Sequence, residues 1–299
     1  MSRLADAMKR ANADQEVDRP DQKETVKWEK PASPEPALLV AEAAVEGEAA
    51  QKVPGAEEAS IAPRVQSRSA SLVAEKLVVT PSISPVSLEQ YRRLAATLHR
   101  RQAERGIKTV LVASTMPGEG KTLTAVNLAL TFSESYGRNV LLIDGDLRRP
   151  TTHDVLEVPN ILGSGVGLTK ETDQKLSLVQ VSPRLSVLTA GEPDADPMSR
   201  LASDRMRRVL AEAAAQFDWV VIDTPPVGMV PDANLLATMA DVVLLVVQAG
   251  RTPLRMVQRA AEALGRERVI GVVLNQADDR VVSSESSNSY GYDRYAATV

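Results

Sequence analysis

Residues 114–122 read STMPGEGKT, and they follow directly on the apolar run TVLVAS at 109–114. Glycines such as Gly118 and Gly120 let backbone N–H groups turn inward around a phosphate. The stretch KTLTAVNLALTFSES after them predicts a helix, whose N-terminal dipole favours an anion. Lys121 then reaches toward β- and γ-phosphates, and Thr122 offers a hydroxyl to Mg²⁺. The strict G-x-x-x-x-G-K-[ST] pattern is not met, because Thr115 stands where its first glycine belongs. A bare GEGKT is weak evidence; between a strand and a helix it is a phosphate loop.

Two further segments supply carboxylates. VLLIDGDLRRP ends an apolar run with Asp144 and Asp146, and two residues apart in an extended segment they point to one side. WVVIDTPPV ends another run with Asp223, four apolar residues followed by an acid. Any one of these, alone, reads as a solvated strand end. Three after two strands, beside a phosphate loop after a third, form what Mg²⁺ requires. Thr224 follows Asp223 where motor-type ATPases carry a water-activating Glu. That argues against vigorous hydrolysis and leaves open transfer of the phosphoryl group to another hydroxyl.

A third feature lies at the far end. Of five tyrosines in 299 residues, Tyr290, Tyr292 and Tyr295 fall in SSNSYGYDRYAATV. Ser, Gly and Asp around them give no core pattern, so 278–299 reads as a flexible tail. Tyr91 and Tyr136 read as packing residues on helices.

The elements that must position these groups alternate. Apolar runs at 109–114, 139–144, 185–190, 219–223, 241–247 and 268–275 are separated by helical stretches such as DPMSRLASDRMRRVLAEAAAQ and TPLRMVQRAAEAL. Continuous aliphatic strands alternating with helices predict an α/β fold with a mostly parallel sheet covered on both faces, with ligands at the C-terminal strand ends. The first helix is expected from SPVSLEQYRRLAATLHRR, with Ser87 and Gln90 in capping-box spacing and Leu88, Tyr91, Leu94 and Leu98 on one face. Residues 17–80 are rich in Ala, Glu and Pro and read as a disordered linker; 1–16 could form one short helix. The division is thus 1–81 extension, 82–277 catalytic domain, 278–299 tail.

Composition excludes several classes. The chain has no cysteine, which rules out disulfides, thiolate metal sites and cysteine nucleophiles. A formal net charge of −4 gives no reason to expect nucleic-acid binding. The longest uninterrupted aliphatic run, VVLLVV at 242–247, is far below the roughly 20 residues of a membrane span. The N-terminus has no apolar signal-peptide core, so the chain is expected to be cytoplasmic.

STMPGEGKT, then LLIDGDLRRP, then VVIDTPPV, with a C-terminal tyrosine cluster, resemble the bacterial tyrosine kinases (BY-kinases) of exopolysaccharide and capsule loci over about residues 82–299. The N-terminal extension and the lack of a fused transmembrane activator look most like the PEP-CTERM/exosortase (XrtA)-associated autokinases. The resemblance implies a P-loop NTPase three-layer fold with ATP and Mg²⁺ as cofactors. It implies that Gly118, Glu119, Gly120, Lys121 and Thr122 belong to Walker A. Asp144, Asp146 and Arg148 would form Walker A′, with Asp144 the base toward the acceptor tyrosine and Asp146 in the metal shell. Asp223 of Walker B would hold Mg²⁺ through water, and Asn275 would contact the nucleotide base. Tyr290, Tyr292 and Tyr295 would accept phosphate in trans.

The resemblance also implies a homo-oligomer through the 87–104 helix and recruitment to the inner face of the membrane. The activator would be a membrane polysaccharide chain-length regulator (Wzz-type). The family's E-x-x-R-x-x-R pattern is met by Glu89 and Arg92, but Ala95 takes the third position. Two other functions fit the motifs. A Min/Par-type positioning ATPase usually has a lysine early in its loop, where this chain has Met116. A non-catalytic ATP-binding scaffold of a polysaccharide export complex would keep the same loop without turnover.

Overall fold

The computed structural model describes residues 28–29, 75–161, 176–194 and 196–277. The expected helix at 1–16 and the tail with Tyr290, Tyr292 and Tyr295 lie outside these residues.

The described chain is a three-layer α/β domain. Its strands are β1 (Trp28–Glu29), β2 (Thr109–Ser114), β3 (Val140–Asp144), β4 (Leu176–Ser177), β5 (Val179–Ser182), β6 (Leu185–Leu188), β7 (Trp219–Asp223), β8 (Val242–Gln248) and β9 (Val269–Asn275). The helices are α1 (Pro85–Arg105), α2 (Lys121–Leu130), α3 (Thr152–Leu156), α4 (Pro197–Leu201), α5 (Asp204–Gln216), α6 (Asp232–Ala237) and α7 (Leu254–Leu264). A π-helical turn, Thr131–Ser135, continues α2. Seven strands form the main sheet in the order β5-β6-β3-β7-β2-β8-β9. All neighbours in it are parallel except β5, which pairs antiparallel with β6 at the edge.

Strand alternation builds two cores. On β2, Leu111 and Ala113 join α5, α6 and α7 on one face, while Val110 and Val112 join α1 and α2 on the other. The second face is closed by Phe132 stacked on Trp219 at 4.4 Å between ring centroids. With aromatics at 3% of the chain, aliphatic burial supplies nearly all of the hydrophobic drive.

Several boundaries differ from the sequence reading. Helix α1 starts at Pro85, with Ser84 as its cap: Ser84 Oγ accepts from Ser87 N–H at 3.0 Å. Proline at the first helical position has no N–H to leave unpaired, so the cap falls before it. On α1, Ala95 and Leu98 are buried, whereas Leu88, Tyr91 and Leu94 are only half-buried. The stretch expected as one helix at 196–216 is split, because Ser203 accepts from Met206 N–H and caps a new helix, α5. Residues 75–81, assigned by composition to the extension, pack on the domain. There Asn127 accepts from Val78 N–H at 2.9 Å and donates to the Lys76 carbonyl at 3.0 Å. Within the same expected linker, Trp28–Glu29 pairs in parallel with Leu176–Ser177.

The order β3-β7-β2 sets the site. It puts the C-terminal ends of the three motif-bearing strands side by side, with β7 in the middle. Asp144 and Asp223 are register partners across β3 and β7. Just past them Gly145 N–H donates to the Asp223 carbonyl at 2.8 Å. A Cβ at 145 would lie 2.6 Å from that oxygen and 3.0 Å from Leu236 Cδ1. Gly145→Ala is therefore expected to lower stability by about 1–3 kcal/mol through overpacking. Urea unfolding should show a lower midpoint at unchanged slope; a parental midpoint would mean that the two strand ends separate freely.

Candidate active site

The phosphate loop joins β2 to α2. Gly120 takes φ +91° and precedes α2 with no side-chain cap, so the first N–H groups of this ten-residue helix are left for an anion. A side chain at Gly120 would strike the Asn275 carboxamide. The loop is braced from outside. Asn275 Nδ2 donates to the Glu119 carbonyl at 2.8 Å, and Gln276 Nε2 donates to the Gly118 carbonyl at 3.1 Å. Glu119 is 2% exposed, and its carboxylate accepts from the Thr115 hydroxyl, from Met116 N–H at 2.8 Å and from the Thr252 hydroxyl. Its side chain is a strut tying the loop to the segment after β8. Any contact of Glu119 with a phosphate is left to its backbone.

At the inner end of the loop Lys121 leans onto acids. Its Nζ lies 3.5 Å from Asp146 Oδ2 and 3.6 Å from Asp223 Oδ2, and it donates to Thr122 Oγ1 at 3.2 Å. Thr122 Oγ1 donates in turn to Asp223 Oδ2 at 2.6 Å. Asp144 Oδ1 accepts from Asp146 N–H at 3.2 Å and its Oδ2 from Thr152 N–H at 3.1 Å. Strand β3 ends at Asp144, so Asp146 reaches the site from the following loop rather than by strand alternation. Its Oδ1 accepts from Arg149 N–H at 3.0 Å, which fixes the turn.

Burial sets the protonation chemistry. Asp144 is fully buried, and desolvation followed by the negative field of Asp223 raises its pKa from 3.8 to about 7. Asp223 is also raised by burial, although Lys121 and Thr122 pull it back. For Lys121 burial acts downward, but the charges of Asp223, Asp146 and Asp144 outweigh it and leave its pKa raised. Three acids and one ammonium leave an excess of two negative charges when all are ionised.

The same residues fit a divalent cation. Asp223 Oδ1 is buried without a hydrogen-bond partner among the described residues, beside the Thr122 hydroxyl. Among the described residues no group of three or more His, Cys, Asp or Glu forms a ready metal cage. Mg²⁺ needs none, since it keeps waters and takes phosphate oxygens together with one or two protein oxygens. Thr122, Asp146 and Asp223 would hold it, and it would neutralise the charge excess.

Arg148 is paired with a residue that sequence reasoning missed. Its Nε and Nη2 donate to the two oxygens of Asp232 at 2.8 and 3.2 Å, and Asp232 is fully buried at the start of α6. The bond clamps the loop after β3 to the segment after β7. In the sequence Asp232 reads only as an acid in a first helical turn, with nothing to connect it to Arg148.

Two outcomes follow. The first concerns pH. With a folded pKa above the unfolded 3.8, Asp144 gives the folded chain extra bound proton between those values, so this group's contribution falls as pH rises. The stability of nucleotide-free Asp144→Asn relative to the parent should therefore grow between about pH 4 and about pH 7 and level off above; a constant difference in thermal unfolding across that window would contradict it. The second concerns the clamp. Arg148→Met leaves a buried carboxylate unpaired and should cost about 1–3 kcal/mol, less than a fully buried pair because Arg148 is 37% exposed. Asp232→Asn should cost less, and adding it to Arg148→Met should recover part of the loss in urea unfolding.

Comparison with known proteins places these features in context. Residues 110–290 match the CobQ/CobB/MinD/ParA nucleotide binding domain. Tyrosine-protein kinase YwqD of Bacillus subtilis is 36% identical over 207 residues, covering 68% of this chain and 85% of that protein. Tyrosine-protein kinase CpsD of Streptococcus pneumoniae serotype 4 is 33% identical over 189 residues, covering 62% and 80%. The kinase domain of Escherichia coli tyrosine kinase ETK superposes with a TM-score of 0.57 at 27% identity, covering 69% of this chain and 80% of that one.

Proposed function

The chain belongs to the CobQ/CobB/MinD/ParA nucleotide-binding family and, within it, to the bacterial tyrosine-protein kinases, and from that premise we propose a specific reaction and acceptor. The protein transfers the γ-phosphoryl group of ATP to Tyr290, Tyr292 and Tyr295 of a neighbouring copy and thereby regulates exopolysaccharide synthesis and export. The observation that carries this reading is the meeting of Lys121, Thr122, Asp144, Asp146 and Asp223 at the ends of three adjacent strands.

In this reaction the phenol oxygen forms a bond to the γ-phosphorus while the bond to the β,γ-bridging oxygen breaks. ADP leaves with that electron pair, and the phenol proton passes to Asp144. A carboxylate raised to about 7 is a stronger base than an exposed one and stays largely ionised just above neutrality. Lys121 and the free N–H groups of α2 balance charge on the phosphates, which is most of what phosphoryl transfer asks of a protein. Mg²⁺, when bound, supplies further neutralisation of those oxygens. Thr224 supports a hydroxyl acceptor other than water. It is fully buried and donates to the Val112 carbonyl at 3.0 Å, so no base stands after Asp223 to activate a water.

The finer features belong to the same reading. Arg148 contacts the nucleotide phosphates from its clamp on Asp232, and Asn275 lies beside the base while bracing the loop. Copies associate through the 87–104 helix, where Glu89 and Arg93 form an exposed ion pair at 3.5 Å and Ala95 faces the core. Among the described residues no helix is long and apolar enough to cross a membrane. A chain-length regulator of the Wzz type would bring the kinase to the inner face of the membrane. The long Ala-, Glu- and Pro-rich stretch before the kinase domain supports the PEP-CTERM/exosortase-associated subtype.

Mass spectrometry after incubation with Mg·ATP tests the central claim. Phosphate is expected on Tyr290, Tyr292 or Tyr295 of the parent and on none of them in Lys121→Met. No phosphate on the parent, even with the partner's cytoplasmic segment present, would favour a scaffold or a positioning ATPase.

A further inference from the structure

One hydroxyl beside this site has no part in the chemistry described so far. Thr151 lies in the loop after β3, exposed, with its Oγ1 3.4 Å from Thr122 Oγ1. It immediately precedes α3, where a threonine ordinarily accepts from a backbone N–H of the first turn, yet its side chain makes no such cap bond. The backbone on both sides of it is pinned to the acids. Arg149 N–H donates to Asp146 Oδ1 at 3.0 Å, and Thr152 N–H donates to Asp144 Oδ2 at 3.1 Å. Between these anchors Pro150 has a ring-fixed φ, and the Thr151 carbonyl accepts from Val155 N–H at 3.1 Å. The neighbours of Thr151 therefore hold its hydroxyl against Thr122, and its own helix makes no use of it.

Counting hydrogens fixes the direction of that contact. A hydroxyl has one hydrogen and two lone pairs. The Thr122 hydrogen goes to Asp223 Oδ2 at 2.6 Å, and one lone pair accepts from Lys121 Nζ at 3.2 Å. Toward Thr151 the Thr122 oxygen is thus the acceptor, and Thr151 donates. Thr122 is also the hydroxyl read as a Mg²⁺ ligand, and a lone pair given to the cation is lost to one of these donors. Lys121 keeps Asp146 and Asp223 beside it. Among the described residues the Thr151 hydroxyl has no second partner. The acceptors that a nucleotide brings are phosphoryl oxygens. In phosphate loops the backbone N–H groups cradle the α- and β-phosphates. Thr151 comes from another direction, one residue before the N–H that holds Asp144, the residue read as the base toward the transferred group.

We propose that the Thr151 hydroxyl donates to an oxygen of the γ-phosphoryl group and so lets the site tell a nucleoside triphosphate from a diphosphate. This rests on the reading that the site binds Mg·ATP with Asp144 on the acceptor side. A nucleotide without the third phosphate does not feel the loss of this bond.

The test is equilibrium binding to the full-length chain by titration calorimetry, with Mg·ADP and with the Mg²⁺ complex of an imido-bridged ATP analogue. Thr151→Val removes the hydroxyl at nearly constant shape. It should weaken the analogue about tenfold, the scale of one hydrogen bond to a charged group, and leave Mg·ADP within about twofold. An ADP affinity so retained also shows that the phosphate loop of the variant is folded. Thr151→Ser keeps the hydroxyl and should bring the analogue back to within about threefold of the parent. Equal losses for the two nucleotides, an analogue affinity unchanged by valine, or no recovery with serine would overturn the assignment. A parent that binds neither nucleotide would remove the reading of the site and this role with it, a result distinct because it precedes any substitution.

Discussion

Asp144 and Asp223 face each other across two hydrogen-bonded strands, both without solvent, and Lys121 is the ammonium that reaches Asp146 and Asp223. Desolvated like charges repel strongly because little water screens them. One lysine cannot offset three acids, and the imbalance shows in two ways. Burial and neighbouring charge raise the pKa of Asp144 and Asp223, and Lys121 lies against the carboxylates of Asp146 and Asp223. A nucleotide with a divalent cation would change that balance. The cation replaces the missing positive charge, and the phosphates give Lys121 another partner.

Such an imbalance persists only where the backbone forbids the acids to move apart. Three close approaches impose that here. Gly145 bonds the Asp223 carbonyl, Gly228 bonds the Thr115 carbonyl, and Glu119 ties Thr115 and Met116 to Thr252. Two of these need a missing side chain, and the third needs a buried carboxylate satisfied by three donors. Arg148 and Asp232 add a fourth link, from the loop after β3 to the start of α6. The loops after β2, β3 and β7 therefore form one frame, and a displacement of any of them is felt by the others.

What the sequence made legible follows from range. The aliphatic runs that became β2 and β7 match the observed strands end to end, because strand content is carried by consecutive residues. Lys121, Thr122, Asp144, Asp146 and Asp223 were legible because each directly follows or nearly follows such a run. Asp232, Thr252 and Gln276 were not, since each acts on a residue far away in the chain and carries no local pattern. Glu119 and Asn275 were found but given incomplete roles: both brace the phosphate loop through contacts that depend on where β8 and β9 end. The edge strand β5 was missed because its pattern is short and half-buried throughout. The cap of α1 was placed at Ser87 instead of Ser84, since the capping-box spacing competed with a proline rule that the structure obeys.

The position of Thr224 joins these threads. A polar residue there could have reached a water at the γ-phosphate, yet its hydroxyl is turned into the sheet onto the Val112 carbonyl. Beyond it Pro225 and Pro226 have no N–H to offer, and Val227 N–H is already bonded to Ser114. The loop after β7 thus contributes a carbonyl frame, a clamp to Arg148 and an exposed methionine, but no group suited to orient water. At the end of β3, Asp144 is raised toward neutrality by burial and by the field of Asp223. On the reaction proposed, a preference for a tyrosine hydroxyl over water would then come from how the acceptor is held, since the loop after β7 turns its one hydroxyl next to Asp223 into the sheet.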